Sequence, residues 1–207
     1  MKTFKIPLLL IIALSLISAC KKGSDSTPTS SITATYYFKG TLNGQLLTWQ
    51  AANDGSQAYV TNGYTNSSVN QGIGTGSTTA VLLASGTFMP RLGIEFRTFQ
   101  VNSNQNFTDY LNGFLNTGSW AYATDGKYTP GNKAVAVYYT DRTGKQYTSI
   151  GSQTGNIVNV IAVSPIATQP GGYQNFKIKL TFACTLYPVD GTGSTLSLTD
   201  AEATVML

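Results

Sequence analysis

Residues 176–186 read FKIKLTFACTL, an alternation of apolar and polar side chains that decides the fold class of this chain. Successive side chains of a β-strand point to opposite faces, so alternate positions share one face. One predicted face holds Phe176, Ile178, Leu180, Phe182, Cys184 and Leu186. A strand with one apolar and one polar face is typical of an antiparallel sheet that packs on a core from one side.

Working outward from this strand, we find short β-prone runs separated by Gly, Asn and Asp. The predicted strands cover residues 36–41, 45–50, 80–84, 92–99, 133–140, 145–150, 156–163 and 201–207. Asn43-Gly44 is a strong hairpin signal, and residues 141–144 form a second turn. Short strands at this spacing predict an all-β, antiparallel β-sandwich of the immunoglobulin or jelly-roll kind.

One segment departs from the strand pattern. Its apolar side chains, Phe107, Leu111, Phe114 and Leu115, recur at helical spacing. Asn106 can cap the start of a helix and Gly118 can end it. We therefore expect one short helix near residues 107–116, with its apolar stripe on the sandwich.

The N-terminus predicts export. Lys2 and Lys5 precede the apolar run of residues 6–17, and small residues follow. This order is that of a secretory signal peptide. The apolar run is about a dozen residues long, whereas a membrane-spanning helix needs roughly 20. We therefore assign residues 1–19 to a signal peptide rather than to a transmembrane anchor.

The signal peptide leads directly into a cysteine. Ile17-Ser18-Ala19-Cys20 resembles the lipobox of bacterial lipoproteins, which implies cleavage before Cys20 and lipid on its sulfur. Two or more acyl chains hold a protein stably on a membrane. Residues 20–33 are polar and rich in Ser and Thr, so we expect a flexible tether. Residues 34–207 are then a single β-sandwich domain.

Composition excludes several function classes. The full chain carries a net charge of +4, and loss of Lys2 and Lys5 leaves 4 − 2 = +2, too little to indicate nucleic-acid binding. With no histidine and two cysteines, the chain lacks the residues for a Ser-His-Asp triad or a thiolate zinc site. We expect no cofactor and no metal. If Cys20 carries lipid, Cys184 has no disulfide partner and is expected to lie inward as a small hydrophobic residue.

One enzyme class stays open, a glycoside-active hydrolase with a carboxylate pair. Most carboxylates have a simpler interpretation. Asp54, Asp125, Asp141 and Asp190 stand at turns. Glu95 shares the predicted solvent-facing side of its strand with Arg97. Non-enzymatic binding is therefore the favoured function.

Aromatic residues supply the candidate binding site. Trp120, Tyr122 and Tyr128 lie near the predicted helix and a Gly-Pro-rich loop, where exposed rings suit a glycan or an envelope-protein partner. A buried Trp120 would look the same in the sequence, so core and surface both stay open for it. Trp49 follows Leu47 at strand spacing and is expected in the core.

Several segments are similar to those of small lipoproteins of the Bacteroidota. The similarity lies in residues 36–49 (YYFKGTLNGQLLTW), 107–122, 134–145, 152–155 and 182–187. The resemblance implies a β-sandwich lipoprotein at the outer membrane, on its periplasmic face or at the cell surface. These shared motifs are turns and core positions, so the resemblance indicates no catalytic residues. Neither the resemblance nor the composition fixes the oligomeric state.

Deleting the last six residues, 202–207, is expected to abolish folding, because the alternation of Ala201, Ala203, Val205 and Leu207 places the C-terminus inside a sheet. Thermal unfolding followed by circular dichroism checks this. A soluble truncated protein that melts cooperatively would contradict it.

Overall fold

The computed structural model describes residues 35–50, 60–70, 73–83, 90–102, 107–127, 133–166 and 175–207. The signal peptide, Cys20, the tether and Tyr128 lie outside the described residues. The contacts group residues 32–207 into one unit.

Strands dominate the described residues, together with one short helix. The strands are β1 (Tyr37–Leu42), β2 (Gln45–Gln50), β3 (Val60–Asn70), β4 (Ile73–Leu83), β5 (Arg91–Asn102), β6 (Gly118–Tyr122), β7 (Ala134–Thr140), β8 (Gln146–Thr148), β9 (Val158–Pro165), β10 (Phe176–Pro188) and β11 (Leu196–Met206). The helix α1 (Phe107–Phe114) lies between β5 and β6.

Strand β10 confirms the alternation that the sequence shows. Its odd and even positions alternate between half-buried and buried from Phe176 to Leu186. It pairs antiparallel with β9 on one side and β11 on the other. Ile178 lies opposite Val205 of β11 and Val163 of β9, so the apolar faces of the three strands coincide.

The strands follow the order β2-β1-β11-β10-β9-β6-β7-β5-β4-β3, and β8 pairs with both β10 and β7. All pairs are antiparallel except the parallel pair β6–β7. The half β2-β1-β11-β10-β9-β6 and the half β7-β5-β4-β3 contribute to one shared hydrophobic core. The predicted all-β fold is thereby confirmed as a sandwich-like arrangement.

The first hairpin forms as its turn residues predict. Asn43 and Gly44 have φ values of 47° and 81°, the positive values that a tight hairpin turn requires. The Asn43 side chain accepts a hydrogen bond from the Ser197 N–H at 2.7 Å. The Asn43 N–H donates to the Ser197 carbonyl at 2.8 Å, which fixes the turn to the start of β11.

The described elements differ from the predicted ones in several places, including β6, which was not predicted as a strand. Strand β4 begins at Ile73, well before the predicted start at residue 80, and β3 was not predicted at all. The sequence of β3, VTNGYTNSSVN, lacks the alternation that identifies a half-buried strand. The predicted helix is confirmed as α1, which ends at Phe114 rather than at residue 116.

The C-terminus lies inside the sheet, as expected. The Leu207 N–H donates to the Phe176 carbonyl at 2.9 Å, and the Phe176 N–H donates to the Leu207 carbonyl at 2.7 Å. Leu207 itself is buried. The last residue therefore closes the ladder with the first residue of β10.

The prediction that Glu95 and Arg97 face solvent is wrong. Glu95 is 4% exposed and Arg97 1% exposed. Arg97 Nε lies 3.6 Å from Glu95 Oε2, and the Arg97 guanidinium donates to the carbonyls of Asp125 at 3.0 Å and Gly126 at 2.9 Å. Charged side chains can be buried when they pair and their hydrogen bonds are made. The alternation of apolar and polar residues alone cannot distinguish a buried ion pair from two charged side chains that face solvent.

Replacing Arg97 with Met is expected to lower the free energy of unfolding by about 3 kcal/mol, because Glu95 would then be buried without its cation. Urea unfolding measures the change. The exposed Arg142→Met substitution is the matched control and is expected to change stability by less than about 0.5 kcal/mol. Equal effects of the two substitutions would contradict the buried pair.

Candidate functional site

The structure places Trp120 and Tyr122 in the core. Trp120 is 4% exposed and meets the rings of Phe96 and Phe114 edge-on, at centroid distances of 5.4 and 5.1 Å. Tyr122 is 6% exposed, and its hydroxyl donates to the Ala183 carbonyl at 2.8 Å. An exposed platform on these two rings is therefore wrong, because α1 supplies Phe114 as a cover for the indole. Tyr128 lies outside the described residues.

Another group of tyrosines lines a concave site, which we call the tyrosine groove. It is lined by Thr79, Val81, Arg91, Gly93, Tyr138, Tyr139, Thr140, Gln146, Tyr147 and Val189. Its volume is about 240 Å³. The lining of the groove therefore comes from β4, β5, β7 and β8 and from Val189, the residue that follows β10.

Gly93 creates the floor of the tyrosine groove. It pairs with Tyr138 of β7 on one side and Val81 of β4 on the other. A Cβ at this position would lie 3.6 Å from Tyr138 Cβ and 3.7 Å from Thr79 Cγ2. These are ordinary contact distances, so a side chain would fit there and would occupy the floor. A glycine inside a strand often marks such a place of close approach.

Hydrogen bonds orient the side chains on the two sides of this floor. The Tyr138 hydroxyl donates to Glu95 Oε2 at 2.7 Å. Arg91 Nε donates to Thr140 Oγ1 at 3.1 Å. The buried Glu95 thus orients a half-buried ring of the groove, and Thr140 orients an exposed guanidinium at its rim. Pre-oriented groups lose less conformational entropy when a ligand binds.

Sequence reasoning missed the tyrosine groove. Its signal was Gly93, which interrupts the apolar positions Leu92 and Ile94 inside a strand. Tyr138 carried no signal of its own, because tyrosine is common in strands. Arg91 stood just before the predicted start of its strand.

A second groove holds two carboxylates, and we call it the acidic groove. It is lined by Gly155, Asn156, Ile157, Asn159, Thr181, Phe182, Ala183, Asp200, Ala201 and Glu202, with a volume of about 420 Å³. Glu202 accepts hydrogen bonds from the Tyr37 hydroxyl and, at 3.0 Å, from Lys179 Nζ. The Tyr37 hydrogen bond holds the pKa of Glu202 below its usual range. A catalytic general acid needs the opposite shift.

The turn aspartates behave as predicted wherever the structure describes them. Each accepts a backbone N–H two residues ahead: Asp125 from Lys127, Asp141 from Thr143 and Asp190 from Thr192. Asp54 lies outside the described residues. These carboxylates stabilise turns, which accounts for their positions without a catalytic role.

Comparison with protein-family models, curated proteins and solved structures finds no match to this chain. Within the described ranges, no helix has both the length and the apolar character to cross a membrane. No cluster of three or more possible metal-binding side chains occurs in that same part of the chain.

Cys184 lies inside the core, as the alternation predicts. It is 3% exposed, and burial raises the pKa of its thiol from 9.0 to about 12. Burial likewise raises the pKa of its neighbour Tyr122. Because the thiolate is the reactive form, this cysteine should be inert in the folded protein.

Cys184 is expected to resist iodoacetamide in the native protein at about pH 8 and to react once urea unfolds the chain. Its raised pKa stabilises the fold fully below pH 9.0, and this contribution falls as pH rises toward 12. The loss is about 1.4 kcal/mol per pH unit in that window. The Cys184→Ala variant should show a slope that is smaller by this amount, because the raised pKa of Tyr122 keeps its own contribution. Urea unfolding of both proteins across the window measures the difference. Rapid native alkylation would contradict the burial.

Proposed function

We propose that this chain is a lipid-anchored envelope protein whose β-sandwich binds a glycan in the tyrosine groove without cleaving it. The observation that carries the proposal is the groove floor at Gly93, which has no side chain, beside the oriented Tyr138 ring. The lipid on Cys20 and an outer-membrane location are parts of the same proposal, supported by the lipobox and the lipoprotein resemblance.

The lining of the tyrosine groove suits a sugar ring. Aromatic rings pack against the apolar faces of small ligands, while a few placed polar groups give orientation. Here Arg91, Thr140 and Gln146 supply polar groups around Tyr138. The volume of about 240 Å³ is below the roughly 300 Å³ at which pockets for drug-sized ligands begin. The groove therefore fits one sugar unit, with the rest of a chain outside.

The second candidate is a glycoside-active hydrolase at the acidic groove. It is favoured by one observation, that Asp200 and Glu202 line the same groove. The lowered pKa of Glu202 suits an ionised carboxylate, so Asp200 alone would have to donate the proton. Among the described residues, no hydrogen bond or apolar contact of Asp200 is found that would adapt it to that role. The binding function is therefore preferred.

A glycan array with the lipidated protein tests the proposal, using Gly93→Val to fill the groove floor. Gly93 carries no positive φ, so a β-branched residue suits its strand. We expect binding to fall at least about tenfold while stability stays the same or rises, since glycine weakens a strand interior. Tyr138→Ala should weaken binding in the same direction. Trp120→Ala is unsuitable here, because it opens the core at a cost of about 3–5 kcal/mol.

The matched control is Gly113→Ala, on α1, where an added Cβ meets open space. This change should stabilise the helix and leave binding intact. Binding that survives Gly93→Val would exclude the tyrosine groove. Glycan cleavage that disappears in Asp200→Asn or Glu202→Gln would favour the hydrolase instead. Absence of any glycan ligand would favour an envelope-protein partner.

A further inference from the structure

Three lysines lie on the outward face of one half of the sandwich. Lys39 is on β1, and Lys177 and Lys179 are at half-buried positions of β10, opposite the core. Between them on β11 stands one carboxylate, Glu202, directly opposite Lys39. We call this surface the lysine face and define it by Tyr36 and the three lysines. Asp200, which lines the acidic groove with Glu202, is a second carboxylate next to this surface. Three positive charges against two negative charges leave 3 − 2 = +1.

The lysine face also has an amphipathic ring. Lys177 Nζ lies 5.9 Å from the centroid of Tyr36. Tyrosine and lysine side chains both present an apolar body with a polar end, which suits the headgroup region of a membrane. Lys179 keeps 42% of its side chain exposed beside Glu202, so its charge remains accessible.

The described chain begins at this face, one residue before Tyr36. Between Cys20 and Thr35 the sequence has 35 − 20 − 1 = 14 residues. A flexible linker of 14 residues spans roughly 20 Å on average. An anchor on Cys20 would therefore keep the lysine face close to the bilayer surface, at a high effective concentration.

The tyrosine groove lies on the other outward face. Gly93 and Tyr138 alternate with the core residues Leu92, Ile94 and Val137 of their strands, so they point away from the shared core. The groove is also at the far end of β10. This strand starts beside the lysine face at Phe176 and ends at Pro188, about 40 Å away at roughly 3.3 Å per residue. Val189 of the groove follows directly.

We infer that the lysine face rests on anionic lipid headgroups, which leaves the tyrosine groove facing away from the membrane. The inference rests on the proposed lipid anchor for its proximity, and on the positions of Lys39, Lys177 and Lys179 for its orientation. Anionic headgroups attract clustered lysines through the negative potential of the surface.

Amine acetylation followed by mass spectrometry tests the inference. The lipidated protein is placed in vesicles of phosphatidylcholine, with or without phosphatidylglycerol. With phosphatidylglycerol, we expect acetylation of Lys39, Lys177 and Lys179 to fall at least about threefold relative to Lys127 and Lys145. About 1 M NaCl should restore it, because screening then acts within about 3 Å. Equal acetylation in both kinds of vesicle would overturn the inference.

A matched pair of variants isolates the lysine face. Lys39→Gln with Lys177→Gln should abolish the phosphatidylglycerol-dependent protection of Lys179. Arg142→Gln with Lys127→Gln removes the same charge elsewhere and should leave that protection intact. Equal loss in both pairs would show a dependence on net charge alone and would overturn the inference.

The mass of the N-terminal peptide reports the anchor separately. If Cys20 carries lipid and acetylation is the same in both kinds of vesicle, the inferred membrane contact of the lysine face is wrong, while the lipid anchor is supported. If lipid is absent, partitioning of the protein onto added phosphatidylglycerol vesicles still measures the lysine face. The Lys39→Gln, Lys177→Gln variant should then partition about 25-fold more weakly, at about fivefold per lysine. Unchanged partitioning would overturn the inference in that case too.

Discussion

Strand β10 must keep its apolar residues in the core. This constraint fixes its register with the neighbouring strands and the positions of both proposed functional surfaces. A shift of one residue would turn Ile178, Leu180 and Phe182 outward and their polar neighbours inward. Its register with β9 and β11 is therefore held by burial as well as by hydrogen bonds. The same register keeps the side chains of Lys177 and Lys179 on the outward face of the sheet. The far end of β10 brings Val189 to the tyrosine groove, so one strand links both proposed functional surfaces.

Strand β5 adds a second constraint, because both of its faces are buried from Leu92 to Arg97. Leu92, Ile94 and Phe96 fill the core, while Glu95 and Arg97 form an ion pair beneath residues 125–127. Removing one partner of a buried ion pair costs more free energy than replacing both partners with apolar residues, because the remaining charge is buried without a counterion. The pair therefore holds a loop and, through Glu95, the Tyr138 ring. The Glu95–Arg97 ion pair therefore contributes both to packing and to the orientation of Tyr138 in the proposed binding site.

The sequence predicted the fold better than the site, for physical reasons. The alternation in β10, the Asn43-Gly44 turn and the apolar positions Leu111, Phe114 and Leu115 each follow from local geometry, and each was confirmed. The polar strand β3 was missed because it shows no alternation. Core and surface stayed open for Trp120, and the solvent-facing prediction for Arg97 was wrong, since burial depends on what covers a side chain from distant parts of the chain. The tyrosine groove is lined by residues from five separate parts of the chain, and only Gly93 gave a signal in the local sequence.

The claim that the two proposed surfaces lie on opposite sides of an anchored domain can be measured directly. One donor fluorophore is placed at Arg142→Cys beside the tyrosine groove, and in a separate protein at Ser164→Cys, which pairs with Lys177. Both sites are exposed, and the buried Cys184 stays unlabelled. With acceptor lipids in phosphatidylglycerol-containing vesicles, we predict strong energy transfer from residue 164 and weak transfer from residue 142. Equal transfer from the two sites, or stronger transfer from residue 142, would contradict the account.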